Sequence, residues 1–496
     1  MSTRAPMIER LTSPRRLLLV FSVIACIGFL AQVRAVLTHE GNFYRGGEVP
    51  IGADFNAFYS AGRIVLRGDG SHLYDLDRQQ TEQQRTLGRD DFDGFQPFAY
   101  PAFVAAPYAL LARLPFLWAY IVQTVCMLLA ISLAVQMLRR VSPTVRDRPV
   151  LVMLAIFTSQ PLMAAVYGGQ TVAFSFLCFA GCYSSLRRDQ PGQAGLWLGF
   201  LLYKPQLAVP LLALLLWQRR WRVIAAAGSV GSGLALVGVA VAGQGWPQGF
   251  MNLAGGNFYV VEAHENGANM ISLMGFAENF FGPKSIEAYG IAGSLGVLLF
   301  IPLILAWRNA RPAGQQFPLQ FGLAIAATLA LSPHALFYEA SLLILPIICL
   351  IDAWTRVDVD SHVIPSALTT ATPSATPPVI PNPSHVIPSE VEESVLSHRV
   401  PWKGPRPRRA PHDVKAGRLS AQHRVILLCL FAFGYLWSFG GLIGFQPLAA
   451  LPVVVGLLVW LGLPCNQRLT LGAVKSPHLP LSSWGESPNV QPGKRS

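Results

Sequence analysis

The chain has 496 residues, of which 52% are hydrophobic and only 13% are charged, with a mean hydropathy of +0.41. A soluble globular domain carries about 25% charged residues, so the composition excludes an ordinary soluble enzyme and indicates a protein embedded in lipid. The net charge of +12 does not indicate nucleic-acid binding. The basic residues cluster at the ends of apolar segments, which is the positive-inside pattern of membrane proteins.

The first apolar segment, Leu17 to Leu37, follows Arg15 and Arg16. It is long enough to cross a bilayer, and the two arginines place its N-terminal side inside the cell. A cleaved signal peptide is the alternative interpretation, because Val33 and Ala35 could form a cleavage site. In both cases the residues that follow are predicted to lie outside the cytoplasm.

The predicted outer loop covers residues 39–115 and contains one ambiguous apolar stretch. Phe98 to Leu114 resembles a crossing by hydropathy, but it includes Pro101, Pro107 and Arg113. A crossing here would also put the next basic cluster on the wrong side of the membrane. The stretch is therefore predicted to be an interfacial segment that lies along the outer membrane surface.

A spanning helix needs about 20 mainly apolar residues. This length predicts an all-α polytopic membrane protein with about ten transmembrane helices and a second outer loop at 243–287. The predicted crossings are 17–37, 116–138, 150–167, 171–186, 223–242, 288–307, 317–331, 336–351, 425–443 and 447–463.

One further apolar segment, Ala194 to Trp217, has basic clusters on both flanks and is interrupted by Lys204 and Pro205. The pattern predicts a re-entrant or broken helical hairpin with both ends inside. Broken helices at membrane depth occur only where they are buried in protein or line a cavity. The ammonium of Lys204 needs an anionic partner there, which a lipid-linked phosphate would supply, unless the lysine snorkels to an interface.

The composition divides the chain into a membrane-embedded core at 1–351, a linker at 352–423, two C-terminal helices within 424–464 and a cytoplasmic tail at 465–496. The linker is rich in Pro, Ser, Thr and charge, so it is predicted to be disordered. It carries the sequence SHVIPS twice, beginning at Ser361 and at Ser384. An inserted repetitive element is the favoured explanation of this duplication, and a binding module is the alternative.

Carboxylates in the first outer loop are the candidates for chemistry. Asp54 stands just beyond the first helix, beside Phe55, Phe58 and Tyr59, which could form an apolar wall for a sugar. The alternative for Asp54 is a helix N-cap, because an aspartate before an apolar run is a capping signal. The pair Asp91 and Asp93 has the spacing of a metal site, but without a Gly-rich nucleotide-binding unit it is better explained as hydrated loop charge.

Several motifs in order and spacing resemble the polyprenyl-phosphate-dependent mannosyltransferases of glycosyltransferase family 87, over roughly Leu17 to Ile351. The chain departs from that pattern at Ala102, where a second proline is common, and at Glu339, where an aspartate is common. The motifs that carry the resemblance are Asp54, the run Gly68, Gly70, Leu73, Tyr74 and Asp75, Phe98 to Pro101, Tyr167 to Gln170, Lys204 with Pro205, Ser332 to His334, and Tyr338 with Glu339.

The resemblance implies a fold of GT-C type in the inner or plasma membrane, with an extracytoplasmic site. It implies a polyprenyl-phosphate sugar donor, usually of mannose, and a lipid or glycan hydroxyl as acceptor. No cofactor or metal is expected, because a lipid phosphate is already a competent leaving group. Asp54 is the expected general base, since an alcohol needs a proton acceptor as it attacks. The expected substrate-binding residues are Lys204, His334, Tyr100, Gln170, Tyr338 and Glu339.

Two other functions remain open from the sequence. A polymerase or ligase of surface polysaccharide would use similar lipid-phosphate donors. A secondary transporter would also contain broken helices and buried charge. The transporter is less favoured, because no internal repeat relates two halves of the chain and the charge concentrates in the outer loops.

Overall fold

The computed structural model describes residues 12–38, 52, 54–88, 95–256, 269–362, 422–430 and 450–461. These ranges are mostly helical, and the one β-bridge within them joins Met270 to Leu336. A helical stretch also covers 422–430. The α-helices are α1 (Pro14–Leu37), α2 (Phe55–Leu66), α3 (Leu76–Leu87), α4 (Ala105–Leu111), α5 (Phe116–Leu138), α6 (Pro143–Asp147), α7 (Pro149–Phe157), α8 (Gln160–Gly168), α9 (Val172–Arg187), α10 (Pro191–Phe200), α11 (Pro205–Trp217), α12 (Trp221–Ala242), α13 (Trp246–Gly255), α14 (Leu273–Phe281), α15 (Ile286–Trp307), α16 (Phe317–Leu331), α17 (Ile344–His362) and α18 (Ala450–Leu461). Short 3₁₀ helices lie at Gly70–His72, Ala102–Val104, Leu201–Tyr203 and Phe337–Leu343.

Five helical segments in the described ranges are long and apolar enough to cross a membrane. A sixth is formed if α7 and α8, which meet at an angle of 61°, count as one broken span. The predicted all-helical membrane protein is thereby confirmed, whereas the count of ten crossings remains a prediction. The five segments are Pro14–Arg34, Phe116–Leu138, Trp221–Ala242, Ile286–Trp307 and Phe337–Thr355.

Hydrogen bonds gather several helix termini at one end of the bundle, which we call the Arg187 end. The Arg187 guanidinium, at the end of α9, donates to the carbonyls of Pro312 (2.7 Å) and Gly314 (2.8 Å). Gln218, just after α11, donates to the carbonyl of Trp307 at 2.8 Å. Because α10 begins four residues after Arg187, α10 and α11 start and finish at this same end. They form a hairpin, as the basic flanks predict.

The tip of this hairpin reaches the opposite end of the bundle, which we call the site end. Tyr203, beside the tip, donates its hydroxyl hydrogen to the carbonyl of Thr171 (2.8 Å), where α9 begins. At the same end, Tyr120 near the start of α5 donates to the carbonyl of Tyr167 (2.9 Å) in α8. The hairpin therefore enters and leaves at the Arg187 end with its turn at the site end.

The break between the two hairpin helices follows from local sequence. Lys204 has φ −124° and ψ 79°, outside the helical region, and Pro205 opens α11. A residue before proline is disfavoured in the α conformation, so the helix ends there. On α10, Gly195 allows close packing against α12, because a Cβ at this position would lie 2.3 Å from the carbonyl oxygen of Val223. Small residues serve this purpose in membrane helix pairs.

The stretch from Phe98 to Leu114, predicted to be an interfacial segment, packs against the protein over part of its surface. It forms an extended run, a 3₁₀ turn and the short helix α4, which packs against α2. Ala102 and Ala105 are completely buried, and the ring of Tyr108 stacks on Phe58 with centroids 4.9 Å apart. Its apolar residues are thus partly covered by protein, whereas Leu110 and Leu114 are 62% and 40% exposed, and its position along the membrane surface stays a prediction. Hydropathy responds equally to burial by protein and by lipid, so it does not distinguish the two environments.

The helix α17 continues past the predicted end of the last core crossing, Ile351, so residues 352–362 of the predicted linker are helical. Contacts at the Arg187 end explain the extension. The Asp352 carboxylate accepts a hydrogen bond from the backbone of Thr144 (2.9 Å), and Trp354 stacks on His423 with ring centroids 4.1 Å apart. Residues 363–421 of the linker, which include all but the first two residues of the SHVIPS repeats, lie outside the described residues, as does the predicted tail.

Candidate functional site

A buried ion pair stands at the tip of the hairpin. Lys204 Nζ donates to Glu339 Oε1 at 2.8 Å, and the two residues are only 2% and 3% exposed. Glu339 belongs to the 3₁₀ helix at Phe337–Leu343, so the pair joins the hairpin to the chain just before α17. The snorkelling alternative for Lys204 is wrong, because the ammonium is buried and paired. Buried charges persist when each has a well-placed partner.

Two aromatic rings flank the ammonium. Lys204 Nζ lies 5.8 Å from the ring centroid of Tyr100 and 5.7 Å from that of Tyr338. These are cation–π distances, at which the electron-rich ring faces stabilise a positive charge. Burial raises the pKa of Tyr100, which Lys204 lowers and which Glu339 and Asp54 raise. The charges of Lys204, Glu339 and Asp54 therefore all act on one phenol at the site end.

The loop that carries Tyr100 is held by side chains that the sequence analysis did not single out. The backbone N–H of Phe98 donates to Gln79 Oε1 at 2.7 Å, and the Gln83 amide donates to the carbonyl of Gln96 at 2.6 Å. Both glutamines lie on α3 and are at most 1% exposed. Buried amides replace the missing backbone partners of an extended segment. The sequence signal that could have indicated this support is the pair of glutamines at i and i+4 on one helix, Gln79 and Gln83.

Asp54 precedes α2 but does not act as its cap, since its side chain accepts no hydrogen bond from the described first-turn amides. The carboxylate instead faces the turn after α8. A Cβ added to Gly168 would lie 2.9 Å from Asp54 Oδ2. The next residue, Gly169, has φ +71°, and its Cβ would lie 2.5 Å from that of Phe55. The two glycines thus let this turn approach Asp54 closely, because a side chain at either position would collide with Asp54 or Phe55.

The aromatic residues after Asp54 do not form the predicted wall for a sugar. Phe55, Phe58 and Tyr59 are at most 4% exposed and belong to an aromatic cluster with α4 and α5. The ring of Phe58 packs on Tyr100 with centroids 4.9 Å apart. The difference arises because these residues do not lie in an open loop. They lie on helix α2, which is buried on most sides. They therefore support Tyr100 by packing and are not exposed to a ligand.

Two buried oxygen atoms near the pair accept no hydrogen bond within the described part of the chain. They are Gln170 Oε1, in the turn between α8 and α9, and Glu339 Oε2. The 3₁₀ helix of Glu339 packs against both α8 and α9. His334 is half-buried in the turn that leads to this 3₁₀ helix, and its carbonyl accepts from the Ser332 hydroxyl at 3.0 Å. Gln170 and Glu339 thus offer acceptors for the hydroxyl groups of a ligand.

The alternative metal site at Asp91 and Asp93 lies outside the described residues. Within the ranges that the structure describes, no group of three or more His, Cys, Asp or Glu side chains is arranged to hold a metal ion.

The sequence profile of Glycosyltransferase family 87 matches residues 98–336. This region contains Tyr100, Gln170, Lys204 and His334, whereas Asp54, Tyr338 and Glu339 lie outside it. Searches among curated proteins and among solved structures found no match.

The sequence had left a secondary transporter open as an alternative function. The family match disfavours it, because the family comprises glycosyltransferases. The apolar helices long enough to cross a bilayer agree with an enzyme of the membrane. Through residues 98–336 the chain therefore belongs to glycosyltransferase family 87, and it is a membrane glycosyltransferase.

Proposed function

We propose that the enzyme moves a hexose, mannose, from polyprenyl phosphate to a hydroxyl group of a lipid or glycan at the extracytoplasmic face of the plasma membrane. The proposal includes a GT-C type fold with ten crossings and the re-entrant hairpin. The observation that carries it is the buried ammonium of Lys204, flanked by Tyr100 and Tyr338, at the same end of the bundle as the Asp54 carboxylate beside Gly168.

The reaction needs a base on the acceptor side. As the acceptor oxygen forms its bond to the anomeric carbon, Asp54 takes the hydroxyl proton, and the bond from this carbon to the phosphate oxygen breaks. The configuration at the anomeric carbon is inverted. General-base assistance of this kind contributes about 10² to 10⁴ in rate.

The leaving phosphate needs positive charge and hydrogen-bond donors. Lys204 has three N–H donors, of which Glu339 takes one. The remaining donors serve the phosphate, and His334 in the neighbouring turn adds a further donor. Tyr100 and Tyr338 bound the space beside the ammonium, while Gln170 and Glu339 Oε2 accept from sugar hydroxyls. Neither a nucleotide nor a metal is required.

The test is a transfer assay with the purified chain in lipid vesicles, radiolabelled polyprenyl-phosphate-mannose and a pool of membrane lipids and glycans as acceptors. Label should appear in a new lipid or glycan, with equal yield in the presence of EDTA. Labelled nucleotide-mannose, the comparison donor, should give none. Transfer from the nucleotide donor alone, or loss of transfer with EDTA, would contradict the proposed chemistry.

Gly168→Ala is expected to lower transfer about ten- to hundredfold with little loss of thermal stability. The added methyl group would stand 2.9 Å from Asp54 Oδ2 and displace the carboxylate, and small misplacements of catalytic groups have effects of this size. Gly192→Ala, whose Cβ meets nothing within 4 Å, is the matched control. Equal activity of the two variants would show that Asp54 tolerates displacement.

The extracytoplasmic placement of the site end predicts the labelling of introduced cysteines. Ser71→Cys lies at the site end, beside the last turn of α12, and Gln193→Cys lies at the Arg187 end, both at exposed positions. In a chain whose seven native cysteines are replaced, an impermeant maleimide applied to intact cells should label the first variant and label the second only after lysis. The reverse result would invert the proposed topology.

A further inference from the structure

Three arginines surround one buried carboxylate where the helices α2 and α3 meet. The carboxylate of Glu82 accepts hydrogen bonds from Arg63 Nε at 3.0 Å and from Arg67 Nη1 at 2.6 Å. Arg85 Nη1 lies 3.6 Å from the same carboxylate. Within the described ranges, no other carboxylate pairs with these three arginines. One negative charge thus meets three positive charges, and this group, which we call the Glu82 cluster, keeps two positive charges in excess.

The positive charge of the Glu82 cluster is exposed, whereas its negative charge is covered. The side chains of Arg63, Arg67 and Arg85 are 34%, 42% and 59% exposed, and that of Glu82 is 4% exposed. A guanidinium group carries five N–H donors, and the carboxylate accepts from one nitrogen of Arg63 and one of Arg67. Donors on all three guanidinium groups therefore remain for an external anion.

The Glu82 cluster lies beside the start of α5, which is long and apolar enough to cross a membrane. Tyr59, one turn before Arg63 on α2, donates its hydroxyl hydrogen to the carbonyl of Leu114 at 2.9 Å, and α5 begins two residues after Leu114. The side chains of Leu110, Leu114 and Trp118 are exposed there. A tryptophan near the start of a crossing is typical of the membrane–water interface. The arginines therefore stand next to a surface that suits acyl chains.

We infer that the Glu82 cluster binds the phosphate of an anionic phospholipid in the leaflet at the site end, with an acyl chain against the exposed side chains of α4 and α5. Guanidinium groups complement a phosphate through paired N–H donors. A zwitterionic headgroup offers the same phosphate but brings its own positive charge toward the arginines. The cluster therefore selects the anionic lipid, and the bound lipid fastens α2 and α3 to the bilayer.

This lipid is separate from the sugar donor. Arg63 stands nine residues beyond Asp54 along α2, and nine residues of α-helix rise about 14 Å. The donor phosphate is assigned to Lys204, which is not part of the cluster. Binding of the phospholipid therefore does not depend on sugar transfer.

The test is photocrosslinking of the full-length chain in vesicles that contain equal amounts of phosphatidylglycerol and phosphatidylcholine with identical acyl chains. Benzoylphenylalanine in place of Leu110, one turn before Leu114, reacts with the lipid on this surface, and mass spectrometry identifies the adduct. Phosphatidylglycerol adducts should be in at least about tenfold excess, because basic residues at a membrane surface attract anionic lipids additively. Benzoylphenylalanine in place of Leu298, exposed on α15, is the reference position and should give equal adducts.

Arg67→Gln with Arg85→Gln removes the excess charge of the cluster. Glu82 keeps Arg63 as its partner at 3.0 Å, so the buried carboxylate stays paired and the variant should fold. The excess of phosphatidylglycerol adducts should disappear.

Arg308→Gln with Arg311→Gln, the same charge change at exposed positions of the Arg187 end, is the matched control and should keep the excess. Even if the double variant of the cluster does not fold, Arg85→Gln alone, at the most exposed of its arginines, should show part of the loss. Two results would overturn the inference. One is equal adducts of both lipids at Leu110 in the otherwise unchanged chain, as expected if another segment of the chain covers the arginines, and the other is an excess that persists in the variants of the cluster.

Discussion

Asp54→Asn is expected to lower sugar transfer at least about a hundredfold, the loss that follows removal of a general base. Asparagine has the same size but does not accept a proton in the relevant pH range, so the acceptor hydroxyl would attack without assistance. Expression and thermal stability should stay close to wild type, because the Asp54 side chain does not cap α2 and no first-turn hydrogen bond among the described residues is lost. The measurement is the initial rate of transfer at saturating donor.

Asp75→Asn is the matched control. Asp75 also precedes a helix, and its exposed carboxylate caps α3 by accepting from the backbone of Asp77 (3.0 Å) and Arg78 (3.2 Å). Asparagine caps equally well, so both stability and transfer should be retained. Asp91→Asn should also retain transfer. If Asp54→Asn were active while Asp91→Asn was inactive, a metal-dependent mechanism would replace the general base proposed here.

Local rules predict the parts of the fold that depend on neighbouring residues. The helix break at Lys204 follows from Pro205 alone, and the hairpin follows from basic residues on both flanks. The long crossings α5, α12 and α15 agree with their predicted positions to within two residues, because apolar length is a local property. Apolar length does not distinguish cover by protein from cover by lipid: in the stretch from Phe98 to Leu114, Ala102 and Ala105 are buried by protein while Leu110 is exposed.

The site shows the same limit. The sequence singled out Lys204 and Glu339 separately, but their ion pair joins residues 135 apart in the chain. Nothing local indicates that one carboxylate partners that ammonium. Likewise, Asp54 has the sequence environment of a helix cap, and only the approach of Gly168 reveals that its carboxylate faces another helix end. Pairing across a fold depends on tertiary geometry, which the spacing of residues does not contain.

Lys204→Met alone is expected to abolish transfer and to destabilise the protein, because it leaves the Glu339 carboxylate buried without its cation. Breaking one side of a buried ion pair costs roughly 3–5 kcal/mol. The double variant Lys204→Met with Glu339→Gln removes both charges, so thermal stability should recover most of this loss. Transfer should not recover, because the donor phosphate still lacks its ammonium.

The double variant therefore separates the two roles of Lys204, in folding and in donor binding. Thermal unfolding followed by size-exclusion chromatography measures the first, and the Kd for polyprenyl-phosphate-mannose measures the second. Lys284→Met, at an exposed lysine that donates to the carbonyl of Gly255 (3.0 Å), is the matched control and should keep both values. Glu339→Gln alone leaves the ammonium buried without its carboxylate, so adding donor should raise its unfolding temperature more than that of wild type. A stable double variant with an unchanged Kd for the donor would show that the ion pair serves only the fold, and the phosphate contact would then have to come from the turn that carries His334.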